Sequence, residues 1–457
     1  MLSGRRKIKT NYREVTDENI STILAYAYGV FLQNKTDIEY LYNYFKGVQP
    51  ILNRVKNIRP EINNKIVENH ANSIVKFKTG YLLQKPIQYA SRKDNASDTS
   101  LEYLNDCMVI ESKESKDKEI ANDQAICGQA YRLTLPNKSF SQNSINESPF
   151  NISTIAPTKA FVVYSSDIGE KPLIGVVVLD EIAEDGTSII TKLQAYTDTK
   201  LYIFNLSTNE VKTSPHTYGR IPLVEYPYNE ERMGAFEPVI PLLDAINTVE
   251  SNRVDGIEQF IQAIMVFKNV EVTKEMLELL KEMGAISIED SGEVKANIEY
   301  LQQELNQTQV QTLVDHMIET VYKIVGMPMG NQRSGDDSGT AVIMRDGWSE
   351  AEARTQDTEL IFQRSEKEFL KIALDFMRTL TLSKYSLSIA DIDIKFTRRN
   401  YENIYQKAQV LDMLLKNGMV APKLAFQVCG LFSDSEIAFK ESMDYVKEQS
   451  DVVPEGN

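Results

Sequence analysis

The groupings that could do chemistry are few, and each fails a specific requirement. Asp391-Ile-Asp393 puts two carboxylates on one face of an extended segment, which is how a divalent-cation site begins. No third carboxylate or histidine clusters beside them, so the pair reads as a solvated strand face. Asp336-Asp337 could also bind a cation, but it stands in a polar, glycine-punctuated run and reads as an exposed acidic loop. In Gly335-Asp-Asp-Ser-Gly339 the serine falls one place late for a G-x-S-x-G elbow, and the flanks are not strand and buried helix. A nucleotide-driven motor needs a G-x-x-x-x-G-K-[ST] loop to cradle phosphates, and the chain has none. Cys107, Cys127 and Cys429 are odd in number, and His70, His216 and His316 are scattered without zinc spacing. The expectation is a chain that is not an enzyme, from a reducing compartment, with no cofactor and no structural metal.

Bulk properties narrow the class further. At 457 residues, 42% hydrophobic and 25% charged, the chain has ample core for roughly two to four soluble domains. A net charge of −15 argues against a protein that grips nucleic acid over a broad basic face, although it permits one that lets DNA pass. No apolar run approaches the roughly 18–20 residues that cross a bilayer, and the first residues lack a signal-peptide core, so a cytosolic start is expected. Sequons such as Asn34-Lys-Thr36 and Asn151-Ile-Ser153 are then chance matches.

The elements that must position any site centre on residues 308–380. Thr308 and Gln311 form a capping box, and Val310, Leu313, Val314, Met317, Ile318, Val321, Ile324 and Val325 make a one-sided helix that Gly326 and Pro328 stop. Met329 to Gly339 has three glycines and no large apolar side chain after Met329, so it reads as an exposed loop. A helical pattern resumes at Thr340 and runs to about Leu380. Phe362, Phe369, Ile372, Ala373, Phe376 and Leu380 share one face, with Arg354, Gln356, Glu359, Arg364 and Glu366 largely off it. Forty residues of helix would be roughly 60 Å long. Trp348, beside Gly347, is expected to anchor the start or a kink of that helix, with Ser349 and Glu352 as a second capping box.

Upstream, residues 1–10 read as a basic, disordered arm, and residues 16–45 as two short antiparallel helices divided at the Thr36/Glu39 capping box. Asp94 to Lys118 mixes charges like a solvated surface helix. Residues 131–228 switch to period two, with an Asp185-Gly186 hairpin, and predict a compact antiparallel sheet. A second long helix is expected from Pro238 to Phe267, followed by a small α/β insertion with a helix at 274–283 and strands at 285–289 and 293–300. Ser386 to Phe396 alternates as a strand, and 402–415, 422–428 and 434–448 read as helices before an acidic tail.

Three segments in order, Tyr42-Asn-Tyr-Phe-Lys-Gly47, Asn63-Asn-Lys-Ile-Val-Glu-Asn69 and Thr79-Gly-Tyr-Leu-Leu-Gln-Lys-Pro-Ile-Gln-Tyr89, resemble the amino-terminal signature of tailed-bacteriophage portal proteins of the siphophage family from Gram-positive hosts. Gln84 stands where that family commonly has glycine, and Ser338-Gly-Thr-Ala341 resembles the family's S-G-x-A start of a long helix. The resemblance implies an α+β, mainly helical portal-type protomer. Its parts would be a wing (1–237, with the sheet at 131–228), stem helix 1 (238–267), an α/β clip (268–306), stem helix 2 (307–326) and a tunnel loop (327–339). A long wing and crown helix (340–385), a wing strand (386–400) and a helical crown with acidic tail (401–457) would complete it. Gly330, Asn331, Gln332, Arg333, Ser334, Gly335, Asp336, Asp337 and Ser338 would line a DNA channel. Ile257, Phe260, Ile261, Ile264, Leu313, Met317 and Val321 would pack the stem, and Lys274, Glu275, Glu278, Lys281, Glu282, Glu289 and Asp290 would face terminase.

The implied function is a virion ring of about twelve copies at one capsid vertex, assembled in the host cytoplasm, through which double-stranded DNA is packaged, retained and ejected. The implied partners are further copies of itself, DNA in transit, the terminase large subunit, capsid and scaffolding proteins and a head-completion connector, with no membrane. From the residues alone, a helix-rich cytosolic scaffold that never touches DNA is the alternative.

Overall fold

The computed structural model describes residues 4–92, 99–141, 146–182, 189–261, 264–268, 272–276, 278, 297–301, 307–329, 347–397, 404–432 and 435–452. It is mixed α and β, with helices as the larger part. The chain divides into two compact units. One comprises Met1–Lys46, Ala71–Pro238 and Tyr322–Asn457, and the other Gly47–His70 and Val239–Val321.

The first unit opens against expectation. Far from a disordered arm, residues 4–10 are tied down: Arg5 is buried in an ion pair with Glu237 at 2.6 Å, and strand β1 (Ile8–Thr10) pairs in parallel with a later strand. Helix α1 (Ile20–Phe45) is one continuous helix rather than two. Its buried stripe runs unbroken through Phe31, Asn34, Ile38 and Leu41, so Thr36 has no boundary to cap and its hydroxyl bonds back to the Leu32 carbonyl at 3.1 Å.

Helix α2 (His70–Leu82) leads to strand β2 (Gln88–Ser91). The polar stretch expected as a solvated helix forms two helices, α3 (Thr99–Ile110) and α4 (Lys113–Cys127), and α4 buries Lys113, Asp117 and Gln124. Charge alternation predicts exposure only when no opposite charge waits inside, and here one does.

The period-two region makes two sheets, not one. Strands β5 (Ala160–Ser165), β6 (Pro172–Ile182), β7 (Ile189–Tyr196), β8 (Lys200–Asn205) and β9 (Val211–Pro215) follow β1 in the order β1-β5-β6-β7-β8-β9. Strands β3 (Gln129–Pro136), β4 (Phe150–Ile155) and β10 (Leu223–Pro227) form a separate sheet ordered β10-β3-β4. Phe161, Val163, Ile174 and Val176 pack with α1, and Ala160, Val162 and Val177 pack with Tyr131 and Leu223 of the smaller sheet. Burial on both faces is why 160–163 is apolar without alternation. The sheets approach so closely at Gly175 that a β-carbon there would lie 2.7 Å from Leu223 Cβ. The β6–β7 hairpin pairs Ile182 with Ile189, while the Asp185-Gly186 turn lies outside the described residues.

In the second unit, helix α5 (Ile240–Ile261) is shorter than the expected 238–267. Ile264-Met-Val-Phe-Lys268 leaves the helix as β11 and pairs antiparallel with β12 (Asn297–Leu301), a β-branched and aromatic run satisfied better by a partner strand. The expected helix at 274–283 and strand at 285–289 lie largely outside the described residues. Helix α6 (Gln307–Val325) closes the unit and ends in the first.

Helix α7 (Trp348–Leu380) spans 33 residues, or roughly 50 Å. Its apolar face joins α3, α4, β4 and β10 in the largest buried cluster, around Phe150, Tyr226, Phe362 and Phe369. The expected strand at 386–396 shrinks to β13 (Ile392–Lys395), paired with β2, because a 3-10 turn capped by Ser388 occupies Ile389–Asp391. Asp391 and Asp393 therefore do not share a strand face. Helices α8 (Ile404–Lys416), α9 (Pro422–Cys429) and α10 (Ser435–Val452) follow as expected, with Gly430 in the left-handed conformation ending α9.

Candidate functional site

Two arrangements hold regions the sequence points to, and a third is a buried charge cluster in the first unit. The first is in the second unit, where the Asn63-Asn-Lys-Ile-Val segment lies extended along α5. The backbone N–H groups of Asn64, Ile66 and Glu68 donate to Asp255 Oδ1 (2.8 Å), Ser251 Oγ (3.0 Å) and Asn247 Oδ1 (2.8 Å). Every second residue of an extended chain advances roughly 6.6 Å and every fourth helical residue 6.0 Å, so the two repeats match over this length. Asp255 also takes Lys56 at 2.9 Å and Arg54 at 3.1 Å. Burial alone would raise its carboxyl, but the Asn64 donors and Lys56 outweigh it and hold the pKa below the ordinary value. The polar stripe Asn247, Ser251, Asp255 at i, i+4, i+8 is the sequence signal for this strap.

The second arrangement, in the first unit, is the root of the 330–346 segment. Helix α6 ends at Gly326, whose φ of +61° is left-handed, and a β-carbon there would lie 2.4 Å from Arg354 Cδ. Arg354 on α7 donates to the Ile324 and Lys323 carbonyls and, at 2.6 Å, to Glu350. Lys78 on α2 donates to the Gly326 carbonyl at 3.2 Å. Two cations thus cap the negative end of α6. Burial, reinforced by the nearby Arg354 charge, pulls the Lys78 ammonium down to about 8. Across the segment, a β-carbon on Gly347 would lie 3.8 Å from Pro328 Cα, so both ends of 330–346 are held side by side.

Trp348 anchors the start of α7, its ring centroid 6.1 Å from Phe77 and 5.9 Å from Tyr81. The Ser349/Glu352 capping box does not form: Gly347 is the N-cap, and Glu352 instead accepts the Tyr81 hydroxyl at 2.8 Å.

The third arrangement is a four-charge cluster with almost no solvent access. Lys113 Nζ lies 2.6 Å from Asp117 and 2.8 Å from Glu366, and Arg132 lies 3.0 Å from Glu366 and also bonds Asp117. The Tyr226 hydroxyl donates to Glu366 at 2.9 Å, and Tyr89 donates to it as well. Two cations meet two carboxylates, so the site is neutral overall. Burial would raise the Glu366 carboxyl, yet Lys113 and Arg132 hold it near 2, while burial prevails at Asp117 and pushes it up. Glu366 was expected off the apolar face of its helix. Its spacing four after Phe362 and three before Phe369 places it on that face, and that was the missed signal.

Of the expected site residues, Gly330 to Ser338 lie outside the described residues, as do Lys281, Glu282, Glu289 and Asp290. Lys274, Glu275 and Glu278 are exposed. Among the expected stem-packing positions, Val321 is buried, Met317 is half-buried, and Ile257 and Leu313 are 43% and 50% exposed. Phe260 and Ile261 lie on α5, but Ile264 belongs to β11 and not to a stem helix. No helix among the described residues is long and apolar enough to cross a membrane.

A search of curated proteins gives no match. The family model described as phage portal protein, SPP1 Gp6-like, matches residues 28–453, from within α1 to the end of α10. That match takes in both units, the strap on α5 and the capped end of α6 alike, and the chain belongs to the SPP1 Gp6-like family of phage portal proteins.

Proposed function

We propose that about twelve copies of this chain close into a ring at one capsid vertex, forming the channel through which double-stranded DNA is packaged, retained and ejected. The family match over nearly the whole chain carries this reading. In it, residues 1–237 form the wing, α5 and α6 the stem, 268–306 with β11 the clip, 327–339 the tunnel loop and α7 the long helix that braces wing to crown, with 401–457 as crown. The role is structural, with no reaction of its own.

Two features support the assignment. Half-exposed Ile257 and Leu313 leave apolar surface on the proposed stem for neighbouring copies to cover. The net charge of −15 suits a conduit, since a strongly basic wall would hold DNA rather than pass it. Within the loop, Arg333 is the one residue able to pair with phosphate, beside Asn331, Gln332, Ser334, Asp336 and Asp337. Lys274, Glu275, Glu278, Lys281, Glu282, Glu289 and Asp290 form the charged clip face offered to the terminase large subunit and then to a head-completion connector. Major capsid and scaffolding proteins surround the wing.

The test is genetic. A phage in which this chain is replaced by a nonsense allele should build capsids that contain no packaged DNA, and supplying the chain in trans should restore filled heads. DNA-filled capsids without the chain would contradict the proposal.

A further inference from the structure

The C-terminal helices are short of core. Over α8, α9 and α10 the buried cluster holds Leu411, Ala425, Phe426 and Cys429. Exposed against these are Met413, Met419, Leu424, Val428, Tyr445 and Val446, with Leu424 at 53%, Val428 at 74% and Tyr445 at 61% exposure. Leu424 and Val428 stand one turn apart on α9 and form a ridge, while Tyr445 and Val446 lie on α10. Among the described residues, more apolar side chains of this small helical subdomain are exposed than fully buried, so it is covered by something in its working state.

The charges say what. Residues 404–429, spanning α8 and α9, carry three lysines against one aspartate, whereas α10 carries five carboxylates against two lysines. An apolar face with basic surroundings and another with acidic surroundings, on one chain, complement each other between copies. We propose that the exposed ridge of α9, with its basic surroundings from α8 and α9, docks on α10 of a second copy of this chain, head to tail. Such a contact is heterologous, using a different surface on each partner, and therefore propagates around a closed ring. The inference rests on the ring reading above and names the surface that drives closure.

Charge reversal with complementation tests it on the full chain. Lys423→Glu reverses the single charge on α9, and Glu441→Lys with Asp444→Lys makes α10 basic; all three side chains are exposed. Each variant alone should need at least about tenfold more protein for half-assembly, measured by mass photometry, with unchanged circular dichroism. Mixed one to one, the variants should co-assemble at the native concentration, because every contact then pairs opposite charges. Leu424→Ser with Val428→Ser should weaken assembly in the same assay and should not be rescued by either charge variant.

Native rings with unaffected variants, or variants that fail alone and stay apart when mixed, would overturn the docking surface and leave the ring reading standing. A native chain that stays monomeric would overturn both.

Discussion

Glu366→Gln isolates the charge at the centre of the buried cluster, because glutamine matches glutamate in size and opens no cavity. In the native protein, Glu366 is fully buried and accepts from Lys113, Arg132, Tyr226 and Tyr89. Glutamine removes one negative charge and turns one of two acceptor oxygens into a donor. Two cations are then left with Asp117 alone, and at least one of the four donors is left unpaired. Removing one partner of a buried pair costs about 3–5 kcal/mol, a large share of the roughly 5–15 kcal/mol that holds a domain together. At about 2–4 °C per kcal/mol, the melting temperature of the transition reported by α7 burial should fall by roughly 6–20 °C. Differential scanning calorimetry with intrinsic tryptophan fluorescence from Trp348, the one tryptophan, follows that transition. Replacing all four charged residues together (Lys113→Met, Asp117→Leu, Arg132→Met, Glu366→Leu) should recover most of the loss, since no uncompensated charge then remains. The reasoning is refuted if Glu366→Gln melts within about 2 °C of the native protein, or if the charge-free variant is the less stable of the two.

Burial raises the Asp123 carboxyl from its ordinary 3.8 to about 6, despite the Tyr42 hydroxyl bonded to it at 2.6 Å. A carboxyl with a raised folded-state pKa contributes stability present below the unfolded value and lost as pH rises through the folded one. Relative to Asp123→Asn, the native protein should therefore lose about 2 kcal/mol between pH 4 and about pH 6.5, and parallel stability curves would contradict this. Asp255→Ala unpins the strap on α5. Loss of charge-assisted bonds of about 1.5–3 kcal/mol should speed amide exchange at Asn64 by roughly 10- to 150-fold, with smaller changes at Ile66 and Glu68. Arg333→Ala should lower DNA retention in filled heads without changing the mass of the assembled particle; unchanged packaging and retention would remove Arg333 from the channel role.

Periodicity found the elements whose environment is one-sided. The stripes of α6 and α7 and the three C-terminal helices are legible because each has one apolar face, and α6 and α9 also stop at a glycine, Gly326 and Gly430. It missed features fixed by partners distant in sequence. The 160–163 run is apolar throughout because α1 covers one face and the smaller sheet the other, which no local pattern reports. The polarity of α4 suggested solvent, but Lys113 and Asp117 meet Arg132 and Glu366 from β3 and α7. Arg5 looked like part of a loose basic tail until Glu237, 232 residues away, gave it a buried partner. The end of α6 is held by Lys78 and Arg354, whose roles as helix caps depend on three elements meeting. The Asn63-Asn-Lys-Ile-Val motif carried the family resemblance before it had a physical explanation, which the matched repeats of strap and helix now supply.

Electron microscopy of the purified full-length chain, with native mass spectrometry of the same sample, tests the central claim most directly. The account predicts closed rings of about a dozen copies around a central hole wide enough for a DNA duplex. Monomers, open filaments or closed particles without a pore would contradict it, and would favour a helix-rich scaffold that never touches DNA.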